Sequence, residues 1–401
     1  MAPTGRPDPP SHSEPARAPV PVLDRMVGLR RELHRHPELS EREERTAGVI
    51  CSFLEDLGIP FRAGVGGHGV VARVRGRSTG PEVALRADID ALPIHEETGL
   101  PFASAVEGVM HACGHDGHTA ILAGAAVLLS AEPPPFPVRL LFQPAEERGS
   151  GARMMIDDGA IDGVSAVFGG HLDINYPVGT LVVTEGAVNA ASDYFTIDIT
   201  GKTGHAARPH EAVDAVVIGA SLVNALQTVV SREVDPADPA VLTVGSFNSG
   251  TAENVIAGSA RLTGTIRTLN PEVRRHLRDS VVRMAAAAGQ LHGCGVDTEV
   301  REGNPPVVNA PPMTELARRA AAALVGETGV LRMRTVNMGS EDFGRYLERV
   351  PGCYIRYGGR IPGSDPSPAH SGRFDFDERA LEVGARWLDA IARLAGEELA
   401  R

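Results

Sequence analysis

The stretch from His111 to Thr119 reads HACGHDGHT and crowds three histidines, a cysteine and an aspartate around two glycines. Cys113 and His115 sit two apart in a turn-like segment, and His118 follows three residues later at the mouth of an apolar run. Thiolate and imidazole are good ligands for a borderline-soft divalent ion, so these residue types at this spacing point to a metal site. The cluster alone also fits a polar helix cap with a buried thiol and solvated histidines, because a histidine tract is only compositional evidence.

Further candidates fall at the ends of strand-like runs. Asp88 and Asp90 close EVALRADID, Glu146 and Glu147 follow VRLLFQ, His171 ends VSAVFGGH, and His370 lies in the loop after CYIRYGG. Sites in open α/β sheets collect at the carboxyl ends of strands, so residues as distant in sequence as Asp88 and His370 could meet. Singly, each has a plain structural reading: a turn aspartate, glutamates at a helix start, loop histidines. Their joint placement at strand ends favours a site. Two adjacent glutamates suit a division of labour, one binding metal while the other acts as a base toward a water whose pKa zinc can lower to about 7. A carboxylate base of this kind typically contributes roughly 10²–10⁴-fold.

The elements that must position these residues follow from periodicity. Apolar residues at helical spacing (Leu23, Met26, Leu29, Leu33, then Ile50, Phe53, Leu54, Leu57) predict two helices broken near Pro37, the second ended by Gly58. His34 and His36 at the break are expected at the surface or in a cap. A helix is expected over AILAGAAVLL and another over Gly151 to Asp158. Strands alternating with helices imply an α/β layer with a largely parallel sheet. Residues 193–301 run in the order β-α-β-β-α-β, with the first helix from about Glu211, which suggests a ferredoxin-like α+β unit. Helix and strand resume at Thr314 and CYIRYGG, and a last helix runs from Glu378, so that unit is an insertion. The expected organisation is a main domain of 21–190 and 305–401, an insert of 191–304, and a disordered tail over 1–20, rich in proline and lacking an apolar h-region.

The chain has 401 residues, 42% of them hydrophobic and 22% charged, as expected of a globular protein. A net charge of −12 argues against a general binder of nucleic acid or anionic membrane. Four scattered cysteines fit a reduced compartment better than a disulfide framework. No apolar stretch reads as long enough for a membrane span, and a cytoplasmic location is expected.

Six motifs carry a family resemblance: RADIDALPI, MHACGHDGHT, FQPAEE, Gly169-Gly170-His171, GHAARPH and AHSGRFDFDE, in order from about Leu33 to Asp377. Together they resemble the aminoacylase and carboxypeptidase family of di-metal amidohydrolases, and within it most closely the hippurate hydrolase and indoleacetyl-amino-acid hydrolase subfamily. The resemblance implies a mostly parallel-sheet metallohydrolase domain with an inserted lid or dimerisation domain. It also implies two divalent ions (zinc, or manganese, cobalt or nickel) and hydrolysis of N-acyl amino acids to a carboxylic acid and a free amino acid. Cys113, His115, Glu147, His171 and His370 would be the ligands, with Cys113 bridging. Glu146 would be the general base, and Asp90 would orient a ligand histidine. His205 would stabilise the oxyanion, reaching across from a partner subunit as in dimeric relatives, so a homodimer is expected. Asn254 and Arg267 would hold the substrate's carboxylate, a task suited to the planar fork of arginine.

Asp88 stands where other branches of that family carry a ligand histidine, so the thiolate ligand set is expected here. His111, Asp116 and His118 are expected as supporting or helix-start residues, not ligands. Lys202, the only lysine, occupies a position that is often glycine. Rival readings are a dipeptidase or an N-acetyl-diaminopimelate deacetylase of the same fold, and a non-catalytic metal- or amino-acid-binding protein. The intact Glu146 speaks against the last, because binding alone needs no base.

Overall fold

The computed structural model describes residues 20–401, so the expected tail lies, but for Val20, outside the described residues. Eight strands form one sheet, in the edge-to-edge order Phe61–Val65, Gly69–Val74, Val138–Gln143, Glu82–Asp88, Val164–Pro177, Gly352–Arg360, Leu181–Val182, Val330–Leu331. The four strands from Val138–Gln143 to Gly352–Arg360 pair in parallel, and the first two strands and Leu181–Val182 join antiparallel. Every residue of Glu82–Asp88 is buried. Coverage on both faces is why that segment reads as a nearly continuous apolar run instead of an alternating one. Helices Val20–Arg35, His115–Ala131 and Arg379–Leu399 contribute to the same core as Leu85, Phe168 and Ile355 of the sheet. Each fully buried Leu, Ile or Phe there stabilises the fold by roughly 1.5–3 kcal/mol.

A second, fully antiparallel sheet has the order Ala240–Ser249, Ser259–Thr268, Ala191–Thr200, Gly295–Glu302. Helices Ala215–Glu233 and Pro271–His292 pack with it around a separate core that includes Phe195, Ile197, Leu222, Leu262 and Leu277. The element order and strand neighbours are those of a ferredoxin-like unit. Local signals delimit the second helix. The Asn270 side chain accepts from the Glu272 N–H, Pro271 starts the helix, and Gly293 ends it at φ 61°. Where the chain leaves and re-enters the main sheet, the Ser192 N–H donates to the Asn304 carbonyl at 3.0 Å, and the Ser192 and Ser340 hydroxyls lie 3.0 Å apart.

Four expectations need correction. The strand VSAVFGGH does not stop at His171 but continues to Pro177, because its parallel pairing with Gly352–Arg360 continues past that point. The helix expected from Glu211 begins at Ala215, where the Asp214 side chain accepts from the Val216 and Val217 N–H groups. That helix is also long and apolar enough to cross a membrane by length and composition, with a mean hydropathy of 1.4, contrary to the expectation of no such stretch. Its buried residues, among them Ile218, Leu222 and Leu226, fill the insert's core, while Val216 and Val217 are exposed. Finally, His34 is not at the surface but 1% exposed, bonded through Nδ1 to Asp116 at 2.8 Å and through Nε2 to Glu96 at 3.2 Å. Burial alone would lower its pKa, but the two carboxylates outweigh burial and raise it to about 9.

Candidate metal centre

Gly114, at φ 84°, turns the chain so that Cys113 precedes and His115 begins the helix His115–Ala131. His115 Nδ1 meets the Asp90 carbonyl at 2.9 Å and the Asp90 Oδ1 at 3.1 Å. Its other nitrogen, Nε2, is buried with no hydrogen-bond partner. Asp90 is itself held, accepting from the Ser40 hydroxyl at 2.7 Å and the Glu147 N–H at 3.0 Å. One carboxylate therefore sets both the imidazole and the backbone of the glutamate pair. Glu147 Oε1 is also buried and unpartnered, 3.8 Å from His115 Nε2 and 3.5 Å from His370 Nε2. On the far side, Cys113 Sγ lies 3.3 Å from His171 Nε2, while His171 Nδ1 donates to the Leu172 carbonyl at 2.6 Å. His370 sits at φ 65°, in the left-handed region, pinned by its N–H to the Ala112 carbonyl at 2.8 Å. Strained backbone of this kind clusters at functional sites.

The donors of Cys113, His115 and His171 lie within 4.8 Å of one another, as do those of Cys113, Glu147 and His370, and only Cys113 belongs to both groups. Tetrahedral bonding at Zn–N and Zn–S lengths separates ligand atoms by about 3.4–3.6 Å. Within the two groups, the Cys113–His171 and Glu147–His370 contacts, at 3.3 and 3.5 Å, match that spacing, so the donor set suits divalent ions. The orphaned His115 Nε2 and Glu147 Oε1 fall one in each group. Burial, and then Glu147, pushes the Cys113 thiol up to about 12, so a thiolate there calls for a strong positive charge beside it.

Of the residues expected to support the ligands, His118 and Asp116 are held by hydrogen bonds and His111 is not. His118 Nδ1 bonds Asp88 at 2.6 Å and its Nε2 accepts from the Leu172 N–H at 2.8 Å, so neither nitrogen is left to bind metal. Asp116 accepts from Arg30 at 3.1 Å and bonds His34, tying the ligand helix to the first helix. Both His111 nitrogens are buried without a partner, and burial lowers its pKa to about 4, which keeps it neutral.

Sequence reasoning missed several groups. Arg86 donates to Asp88 at 2.7 Å, Gln143 at 2.8 Å and Asp342 at 2.9 Å, and pairs with Glu341 at 3.1 Å, all in the interior. The readable sign was a charged residue inside the apolar run EVALRAD. Glu341 also accepts from the Tyr354 hydroxyl at 2.6 Å. Glu43 accepts from the Ala145 N–H at 2.9 Å, holding a residue at φ 50° just before the glutamate pair. Burial, and then the Glu341 and Glu147 carboxylates, pushes the Glu146 carboxyl well above its ordinary range.

A cavity of about 460 Å³ opens over the centre, with Cys113, Glu146, Glu147, His171 and His370 on its lining. Arg267 of the insert also lines it, with Nη1 buried and unpartnered. His205 and Asn254 do not line it. They sit together, the Ala206 N–H donating to the Asn254 carbonyl at 3.1 Å, beyond the Ser259 end of the strand Ser259–Thr268. Arg267 is near the opposite end, and eight residues at about 3.3 Å each put some 26 Å between the two ends. Of the two residues expected to hold the substrate's carboxylate, Arg267 lines this cavity and Asn254 does not.

Residues 84–394 match the family described as Peptidase family M20/M25/M40. The chain belongs to this family. It is accordingly a metal-dependent amidohydrolase, in the fold and class that the motifs implied. It is 41% identical over 370 residues to the N-acetyl-L-cysteine deacetylase of Bacillus subtilis (strain 168), covering 92% of this chain and 87% of that protein. It is 38% identical over 376 residues to Thermostable carboxypeptidase 1 of Saccharolobus solfataricus, covering 91% and 93%. Among solved structures it is similar to the Bacillus subtilis YXEP protein, a dinuclear metal binding peptidase, at 36% identity and a TM-score of 0.82, over 94% of this chain and 99% of that one.

Because Cys113 alone belongs to both donor groups, Cys113→Ala should depress both metal occupancies, whereas His370→Ala should depress only one. Elemental analysis of loaded protein should fall from about two ions per chain toward none and one respectively. Two ions retained in Cys113→Ala would exclude a shared ligand.

Proposed function

We propose that this enzyme hydrolyses the amide bond of N-acyl amino acids, of the hippurate or N-acetyl type, to a carboxylic acid and a free amino acid. The observation that carries the reading is the sharing of one cavity by Glu146, beside the five donors, and Arg267, a guanidinium with a buried, unpartnered N–H. A carboxylate next to a filled ligand set has a use as a base, and a guanidinium in the same space has a use as the seat of the substrate's α-carboxylate.

Cys113, His115, Glu147, His171 and His370 would hold two divalent ions, zinc or else manganese, cobalt or nickel. When bound, these ions polarise the scissile carbonyl and make a water acidic enough to ionise near neutral pH. Asp90 fixes the tautomer of His115 and so keeps Nε2 free as a donor. Arg267 aligns the substrate by its carboxylate, so the amide sits over Glu146. Glu146 takes the proton of the attacking water and passes it to the leaving nitrogen as the C–N bond breaks and the new C–O bond remains. His205 donates to the oxyanion.

A hinge or a partner subunit must bring His205 and Asn254 to a site, and we assign both to the partner's cavity, with residues 191–304 as the dimerisation domain of a main unit formed by 21–190 and 305–401. Val216 and Val217, exposed together with Val241 and Phe247 of the Ala240–Ser249 edge strand, support that surface as the one that pairs. C₂ pairing through one self-complementary patch is the commonest closed arrangement.

Release of free amino acid from N-benzoyl and N-acetyl amino acids, measured beside their carboxamides and a dipeptide series, tests the reaction. The acids should be turned over and the carboxamides, which lack the charge that Arg267 holds, should be poorer by about tenfold or more. Equal rates on acid and carboxamide would sink the assignment of Arg267, and turnover confined to dipeptides would sink the substrate class. The trans arrangement has its own test. Glu146→Gln and His205→Ala should each be nearly inactive while holding metal, the second by on the order of 10²–10³-fold. Mixed and re-associated, they should recover about a quarter of wild-type activity, since half the random dimers carry one intact site of two. Subunit exchange verified by mass with no recovered activity would place His205 in its own chain's site or in none.

A further inference from the structure

Among the described residues, three arginines are almost wholly buried: Arg30, Arg86 and Arg356. Two of them are each surrounded by three carboxylates. Arg30 pairs with Asp116, Asp375 and Glu378, and Arg86 with Asp88, Glu341 and Asp342. Arg356, at 3% exposure, has no ion-pair partner among the described residues. Its Nη2 donates to the Asn189 side-chain oxygen, and its guanidinium carbon lies 5.4 Å from the centroid of the Tyr354 ring. A buried cation with one neutral acceptor is costly to the fold and unusual beside two neighbours so fully compensated.

The position of this cation gives it a use. Arg356 stands in register with His171 on the adjacent parallel strand, so both side chains project from the same face of the sheet. It lines the same cavity as Glu146 and Arg267. Arg267 comes from the inserted unit and Arg356 from the main sheet, so the two guanidinium groups belong to different walls. With Nη2 engaged by Asn189, the remaining N–H groups of Arg356 can still receive a carboxylate in two-point fashion.

We propose that Arg356 binds a second anionic group of the substrate, so that the preferred N-acyl amino acids carry one carboxylate beyond the α-carboxylate held by Arg267. This rests on the N-acyl amino acid reaction proposed above. The second carboxylate can belong to the acyl chain, as in an N-succinyl amino acid, or to the side chain of the amino acid. The chemistry that Arg356 recognises is the same in both.

Two matched pairs separate the sources: N-succinyl-alanine against N-butanoyl-alanine, and N-acetyl-glutamate against N-acetyl-glutamine. For each pair the ratio of kcat/KM, acidic over neutral, is measured in the wild type, Arg356→Met and Arg356→Lys holoenzymes. Binding of succinate against butyrate, and of glutamate against glutamine, is measured by calorimetry on the same proteins. The wild type should favour the acidic member of one pair by about 10- to 100-fold, the range expected for hydrogen bonds to a charged group. The Met variant should lose that ratio, the Lys variant should keep part of it, and the matching product acid should bind more weakly by a similar factor in the Met variant. A preference in the first pair assigns Arg356 to the acyl chain, and in the second to the side chain. A wild type without preference in either pair, or a ratio untouched by Arg356→Met, overturns the proposal and leaves Arg356 only to hold Asn189. Should no N-acyl amino acid be turned over at all, the reaction itself is wrong, and calorimetry still decides whether Arg356 binds a second carboxylate. Should Arg356→Met fail to fold, the wild-type ratios and the Lys variant decide.

Discussion

Five carboxylates, those of Asp88, Asp90, Glu146, Glu341 and Asp342, lie buried at one edge of the main sheet. Left unpaired, each would cost several kcal/mol, enough in sum to unfold a domain of ordinary stability. The surrounding structure consists largely of their counterweights. Arg86 meets Asp88, Glu341 and Asp342, His118 meets Asp88, and His115 meets Asp90. Glu146 receives no side-chain hydrogen bond from the described residues, and its carboxyl is the one pushed well above the carboxylate range. The charge that would settle it is the one the five neighbouring donors are spaced to hold. The metal centre and the acidic edge thus form one electrostatic unit.

The sheet supplies this unit by topology. Four parallel strands end at the same edge, so Asp88, the glutamate pair and the His370 loop converge although the chain wanders between them. The insert does a different job. Its ten-residue strand Ser259–Thr268 carries Arg267 at the end near the crossing and leads away to His205 and Asn254 at the other. On the proposed pairing, one such strand serves two cavities, its own chain's and a second copy's.

Much of this was legible from residue types. HACGHDGHT, the strand-end acids and the late His370 converge as their spacing suggested, because strand ends are fixed by the parallel order and helix starts by Gly114. The ferredoxin-like order of the insert was legible for the same reason: turn residues and capping residues such as Asn270 act locally. What was not legible depends on long-range pairing. His34 looked like a break residue, but its role is set by Asp116, far along the chain. The strand through His171 runs on because a partner strand, Gly352–Arg360, continues beside it. Glu341 and Asp342 carry no local sign of their burial, since nothing nearby in sequence tells a buried charge from a solvated one. Arg86 and Arg356 are the exceptions, each set inside an apolar run, EVALRAD and CYIRYGG.

The most direct measurement is anomalous diffraction from crystals of the loaded enzyme, recorded at the absorption edge of the bound metal. Two peaks should flank Cys113 Sγ, about 3.5–4 Å apart, one within bonding distance of His115 and His171 donors and the other of Glu147 and His370. A single peak, or peaks centred on His118 and Asp88 in place of Cys113, would contradict a two-ion centre built on the shared thiolate.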